Sequence, residues 1–153
     1  MNESAYAKLG TLAQMNPPLR APADCAALWQ GIADGTIDTI GSDHAPHTLA
    51  EKSQPYPASP SGVPGIETTL PLLLTAQRAK KISLEKIIEL TYDNPRKIFN
   101  LPKNDDKIIV DLNLEKEVIN ANLKTKCGWS PFAGWKLTGW PVAVTINNKT
   151  VNF

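Results

Sequence analysis

The sequence predicts an α/β fold that ends in a small β unit, and three features carry the prediction. Residues 16–43 run in the order extended segment, helix, strand, with a carboxylate at the strand's C-terminal end. Residues 66–100 carry helix patterns and a helix cap. After Leu101-Pro102, β-branched runs and an Asn-Asn hairpin signal take over. The chain divides on this reading into an α/β stretch, 1–101, and a β segment, 102–153.

Each element has a local cause. The paired prolines of Asn16-Pro17-Pro18-Leu19-Arg20 force an extended backbone. Asp24 can cap a helix running to about residue 33, with Ala27, Leu28 and Ile32 as its apolar stripe. Gly35 suits the left-handed position beyond that helix. Residues 37–41 are a short strand candidate, followed by Ser42-Asp43-His44. Residues 48–65 form a Pro-, Ser- and Gly-rich loop, long enough to be either functional or disordered. A mostly apolar helix follows over 66–81, with Pro71 in its first turn or kinking it. Ser83 caps a second helix over 84–92, which Asn94-Pro95 breaks before one more turn at 96–100. Residues 108–112 and 142–146 read as strands, and Asn147-Asn148 as the turn into 149–153. Trp129, Trp135 and Trp140 lie between these strands, either as β-segment core or as the ligand surface of a small binding module.

Composition narrows the class of function. Hydrophobic residues make up 42% and charged residues 20% of the 153 positions, an ordinary globular balance. A net charge of +1 gives no reason to expect nucleic acid or an anionic membrane as partner. The longest apolar run, 70–76, contains Pro71 and falls far short of the ~20 residues that span a bilayer. Met1-Asn2-Glu3-Ser4 lacks the basic start of a signal peptide, and a cytoplasmic location is expected. Cys25 and Cys127 have no CxxC spacing and read as free thiols.

The chemistry concentrates in Asp43-His44-Ala45-Pro46-His47. Barrel enzymes place catalytic carboxylates at the C-terminal ends of strands. An Asp there can bind a metal and move a proton, and a His beyond a proline-fixed turn can reach across the same site. Asp-x-x-x-His alone also fits a helix-capping Asp followed by a loop His. Strand alternation turns His44 away from such a pocket, toward a structural role. Arg20 can grip a carboxylate in two-pronged fashion or anchor a loop by an ion pair.

Five stretches together narrow the choice. Asn16-Pro17-Pro18-Leu19-Arg20, Ser42-Asp43-His44-Ala45-Pro46-His47-Thr48 and Ser61-Gly62-Val63-Pro64-Gly65-Ile66-Glu67-Thr68 occur in the order and spacing of class I dihydroorotases. Asn94-Pro95-Arg96-Lys97-Ile98-Phe99 and Ser130-Pro131-Phe132-Ala133-Gly134-Trp135 are similar to that family's C-terminal landmarks. Hydantoinases and allantoinases share parts of the pattern, but the Asn16 and Asp43 motifs together favour dihydroorotase. The resemblance implies the last βα units of an amidohydrolase TIM (β/α)8 barrel over 1–101, followed by the C-terminal β segment. It implies zinc-dependent interconversion of N-carbamoyl-L-aspartate and L-dihydroorotate, in pyrimidine biosynthesis. Asp43 would be the catalytic proton carrier and a zinc ligand, and Asn16, His47, Ser61 and Gly62 would bind substrate. Some relatives carry a bulky residue at the place of Ser61.

The same resemblance implies a His-x-His motif, a bridging Lys or Asp and two further histidines, whereas this chain has only His44 and His47. One carboxylate does not hold a catalytic zinc, which takes about three protein ligands. The chain is therefore expected to be inactive alone. It is read as a fragment or as half of a split enzyme completed by an N-terminal barrel chain. The alternative is a non-catalytic assembly subunit, for example beside aspartate transcarbamoylase. Unpaired barrel strands would also favour self-association.

Overall fold

The computed structural model describes residues 1–153. Its elements are α1 (Ala5–Leu9), a 3₁₀ turn (Gly10–Ala13), α2 (Pro22–Asp34), α3 (Leu49–Lys52), α4 (Thr69–Arg78), α5 (Leu84–Ile88), α6 (Asn94–Ile98), β1 (Lys107–Glu117), β2 (Lys136–Ile146) and β3 (Lys149–Asn152). Helices with one small sheet fit the α/β class. Two compact units interleave along the chain. One takes Met1–Ile37, Ser42–Thr69 and Val118–Trp135; the other takes Asp38–Gly41, Leu70–Glu117 and Lys136–Phe153. The change of texture near residue 101 falls inside the second unit.

In the first unit, α2 starts three residues earlier than an Asp24 cap would place it. Pro22 opens the helix, and the Asp24 carboxylate reaches back to accept from the Ala21 N–H at 3.0 Å. Gly35 closes it at φ 83°. No α2 residue is buried, and Leu28 of its apolar stripe is 60% exposed.

The second unit is built on α4 to α6 and the antiparallel sheet β1-β2-β3. Residues 37–41 do not form the expected strand, because no neighbouring strand offers them a ladder. The Ile40 N–H instead donates to the Leu90 carbonyl at 3.1 Å, and the Asn94 side chain donates to the Asp38 carbonyl at 2.9 Å. Pro71 sits in the first turn of α4, where its missing N–H costs nothing. The Ser83 hydroxyl caps α5 by accepting from the Lys86 N–H at 3.1 Å. Asn94-Pro95 does not break the helical path. A π turn over Glu89–Asp93 widens the backbone ahead of the proline, and α6 continues from it. Leu90 and Ile87, at 0% and 2% exposure, are among the residues that form this unit's core.

In the sheet, β1 shifts register between Ile109 and Val110, where its partner is Pro141, a residue with no N–H for the ladder. A second shift follows Asp111, whose carboxylate accepts from the N–H groups of Asn113 and Leu114 at 2.9 and 3.1 Å. Asn147 and Asn148 take φ 49° and 62°, the paired positive values of a tight hairpin turn, and lead into β3 as the sequence predicts. Gly139 has φ 89°, and a Cβ there would meet the Leu74 Cβ at 2.6 Å.

Candidate functional site

The candidate site belongs to the first unit and starts from a capping box that the loop reading of 48–65 missed. The Glu51 N–H donates to the Thr48 hydroxyl at 3.3 Å, and the Glu51 carboxylate accepts from the Thr48 N–H at 2.7 Å. The Thr48 hydroxyl, and then its N–H, hold the Glu51 carboxyl below its ordinary range. This box nucleates α3, and α3 delivers Lys52 to the interior, where it is fully buried.

Lys52 has no carboxylate partner. Its ammonium donates to the main-chain carbonyls of Gln14 at 2.8 Å and Pro60 at 2.9 Å. Burial pulls its pKa below the ordinary lysine value. The Lys52 carbonyl accepts from the Thr11 hydroxyl at 2.6 Å and the Ser59 hydroxyl at 3.2 Å. The Gln14 carbonyl also accepts from the Gly62 N–H at 3.0 Å, and the Gln14 amide donates to the Ser59 carbonyl at 2.7 Å. Residues 14–16 and 59–62 are thus fastened together.

Gly62 has φ 133°, and a Cβ there would lie 2.6 Å from the Ala45 Cβ and 3.1 Å from the Ala45 carbonyl. Only glycine lets 61–63 approach the 44–47 turn so closely. The contact is sealed by a parallel bridge between His44 and Val63 and by the Ala45 N–H donating to the Val63 carbonyl at 3.2 Å. His44 is engaged with the main chain. Its Nδ1 accepts from the N–H groups of Gly65 and Ile66 at 3.1 and 3.3 Å, so that nitrogen carries no proton in this arrangement.

His47 Nε2 lies 3.2 Å from the Ser61 carbonyl, which can only accept, so Nε2 carries the ring proton of that bond. The buried Trp129 donates its indole N–H to the His47 carbonyl at 2.8 Å. The segment bearing Trp129 is held by Glu67, whose carboxylate accepts from the N–H groups of Lys124 at 2.9 Å and Thr125 at 2.8 Å. Trp129 is therefore core, while Trp135 packs edge-on against Phe132 at 5.3 Å and is 43% exposed. Trp140 belongs to the other unit.

A cleft of about 490 Å³ opens on this scaffold, with Gln14, Met15, Asn16, Tyr6, Tyr56 and Ser61 in its wall. The structure thus places Asn16 and Ser61 on one cleft and joins His47, Ser61 and Gly62 at its edge. Asp43 is outside the cleft lining. It is exposed and held at φ 40°, a left-handed conformation uncommon for a residue with a side chain, though Asp tolerates it better than most. Lys52 and Gln14, whose bonds fasten 14–16 and 59–62 together, are residues that sequence reasoning missed.

The residues present do not fit a zinc centre of their own. No group of three or more His, Cys, Asp or Glu side chains could hold a metal. His44 Nδ1 and His47 Nε2 are both committed to main-chain partners. No helix is long and apolar enough to cross a membrane.

The chain is 42% identical over 151 residues to the dihydroorotase of Halobacterium salinarum, a match that takes in 94% of this chain and 36% of that protein. It is 42% identical over 144 residues to the dihydroorotase of Bacillus thuringiensis, covering 89% of this chain and 34% of that one. Among solved structures, the L-hydantoinase from Arthrobacter aurescens matches 99% of this chain with a TM-score of 0.92 and 28% identity, over 37% of its own length. An inactive dihydroorotase-like domain of the Chaetomium thermophilum CAD-like multifunctional protein matches 86% of this chain at 30% identity and a TM-score of 0.67, over 36% of its own length. No protein-family model matches. The chain spans about a third of the length of the relatives it matches.

Proposed function

The chain belongs to the dihydroorotase family, and from that premise we propose that it supplies the substrate-gripping wall and one acid–base carboxylate of a cyclic amidohydrolase site. The observation that carries the reading is the locked 44–47 and 59–66 pair, which joins His47, Ser61 and Gly62 beside the Asn16 cleft. On this reading 1–101 is the C-terminal portion of an amidohydrolase barrel and 102–153 the β segment that follows it. The remaining barrel strands and the metal-bearing residues come from an N-terminal dihydroorotase segment.

The substrate is L-dihydroorotate, opened to N-carbamoyl-L-aspartate, or the reverse. Asp43 takes the proton released as water adds to the ring carbonyl and returns it to the ring nitrogen as the C–N bond breaks. The unusual backbone of Asp43 is consistent with that task, since strained conformations cluster at functional sites. Asn16 offers an amide that both donates and accepts. His47, held through Nε2 on the Ser61 carbonyl, turns the other edge of its ring to the substrate. The Ser61-Gly62 main chain closes over the ring.

A second reading has a specific observation behind it. The inactive dihydroorotase-like domain shows that a relative of this fold need not be catalytic. A non-catalytic subunit would bind its partner without needing Asp43.

The first test uses the chain alone. Purified, it is expected to leave dihydroorotate unchanged, to bind zinc no better than an exposed carboxylate does, and to self-associate through open apolar surface. The exposed Leu28 and the half-exposed Ile108 and Ile109 of β1 belong to that surface. Turnover that a chelator removes and zinc restores would show that this chain builds a metal site by itself.

A further inference from the structure

We propose that Lys52 is the positioning residue of the substrate cleft, setting the distance between its Asn16 wall and its Ser61-Gly62 wall. The inference rests on the amidohydrolase reading for the identity of the substrate. The bridge itself is independent of that reading.

Three observations carry it. Lys52 is at 0% exposure, unusual for a residue whose charged end normally reaches water. Its ammonium has no counter-ion and spends its bonds on the carbonyls of Gln14 and Pro60. Gln14 lies two residues before Asn16, and Pro60 directly precedes Ser61 and Gly62. A buried cation without a carboxylate is costly unless dipoles replace the water it lost. Two carbonyls supply that, and they turn the cation into a clamp on two separate stretches of chain. The Gly62 N–H, donating to the same Gln14 carbonyl at 3.0 Å, is the second tie across the clamp.

A hydrophobic residue would fill the space but leave both carbonyls without their donor. Cleft width would then depend on the Gly62 and Gln14 bonds alone. Substrate affinity should fall while groups outside the cleft, Asp43 above all, keep their places.

The test is Lys52→Met, which keeps the side chain's length and removes its donors. Ser59→Ala serves as control, because it deletes a bond to the Lys52 carbonyl and leaves the ammonium bridge intact. Hydrogen–deuterium exchange is followed by mass spectrometry on peptides covering 60–64 and, for reference, 132–135, where the Gly134 N–H donates to the Val118 carbonyl. Lys52→Met is expected to speed exchange in the first peptide about tenfold and leave the second unchanged. Ser59→Ala should change the 60–64 peptide less than Lys52→Met. In the complex with an N-terminal dihydroorotase segment, Lys52→Met should raise KM for dihydroorotate about tenfold, with kcat within about twofold and zinc content unchanged. Unchanged exchange at 60–64, or an equal loss in kcat and no rise in KM, overturns the proposal. A parent complex without turnover sinks the substrate reading, and the exchange data still decide the clamp. Should Lys52→Met fail to fold, acetylation of the parent chain decides instead. Lys52 is expected to react at least tenfold more slowly than exposed Lys149, and equal rates overturn its burial.

Discussion

Gly62→Ala is expected to destabilise the first unit by about 3 kcal/mol, the sum of a conformational cost of roughly 1–3 kcal/mol and the overpacking of a closed contact. The new Cβ meets the Ala45 Cβ at 2.6 Å, and the Ala45 carbonyl stands behind it at 3.1 Å, so backbone rather than a flexible side chain has to give. Gly134→Ala is the matched comparison. Its φ is 83°, but a Cβ there has nothing within 4 Å, so only the conformational cost of about 1 kcal/mol applies. Chemical denaturation of both variants compares a closed contact with an open one. Equal losses would mean that 61–63 does not press on the 44–47 turn in solution. Where Gly62→Ala still folds, the displaced loop should also weaken use of dihydroorotate.

Asp43→Asn is expected to lower kcat of the complex with an N-terminal dihydroorotase segment about 10³-fold or more, because in the proposed role an amide can neither accept a proton nor carry it to the leaving nitrogen. His47→Ala and Asn16→Ala should act chiefly on KM, since the role proposed for each is to hold the substrate. Steady-state kinetics with zinc quantified for each variant distinguishes a lost proton carrier from a lost metal. An Asp43→Asn complex that binds zinc and turns over as fast as the parent would remove Asp43 from its assigned role.

Legibility in the sequence followed the range of the interaction. The Ser83 cap, the Gly35 stop and the Asn147-Asn148 turn are written within a few residues, and all three form as read. The strand expected over 37–41 is not local, since a strand exists only through its neighbours. The break expected at Asn94-Pro95 ignored the wider π turn, which accommodates a proline without ending the helical path. Of the residues the motifs singled out, His47, Ser61 and Gly62 are neighbours in the structure, while Asp43 lies outside the cleft lining. The burial of Lys52 is not signalled by residue type, because a lysine in a polar loop reads as solvated. Thr48-x-x-Glu51 was the available clue. A capping box there makes a helical turn, and that turn is what directs Lys52 inward.

Completion of a cyclic amidohydrolase site by this chain, with the missing residues supplied from elsewhere, has one most direct test. The chain is co-expressed with an N-terminal dihydroorotase segment carrying the His-x-His motif and the later histidines, and dihydroorotate hydrolysis is assayed. Turnover is expected from the mixture and from neither piece alone, abolished by a chelator and restored by zinc. A mixed complex that forms, holds zinc and leaves dihydroorotate intact would contradict the account.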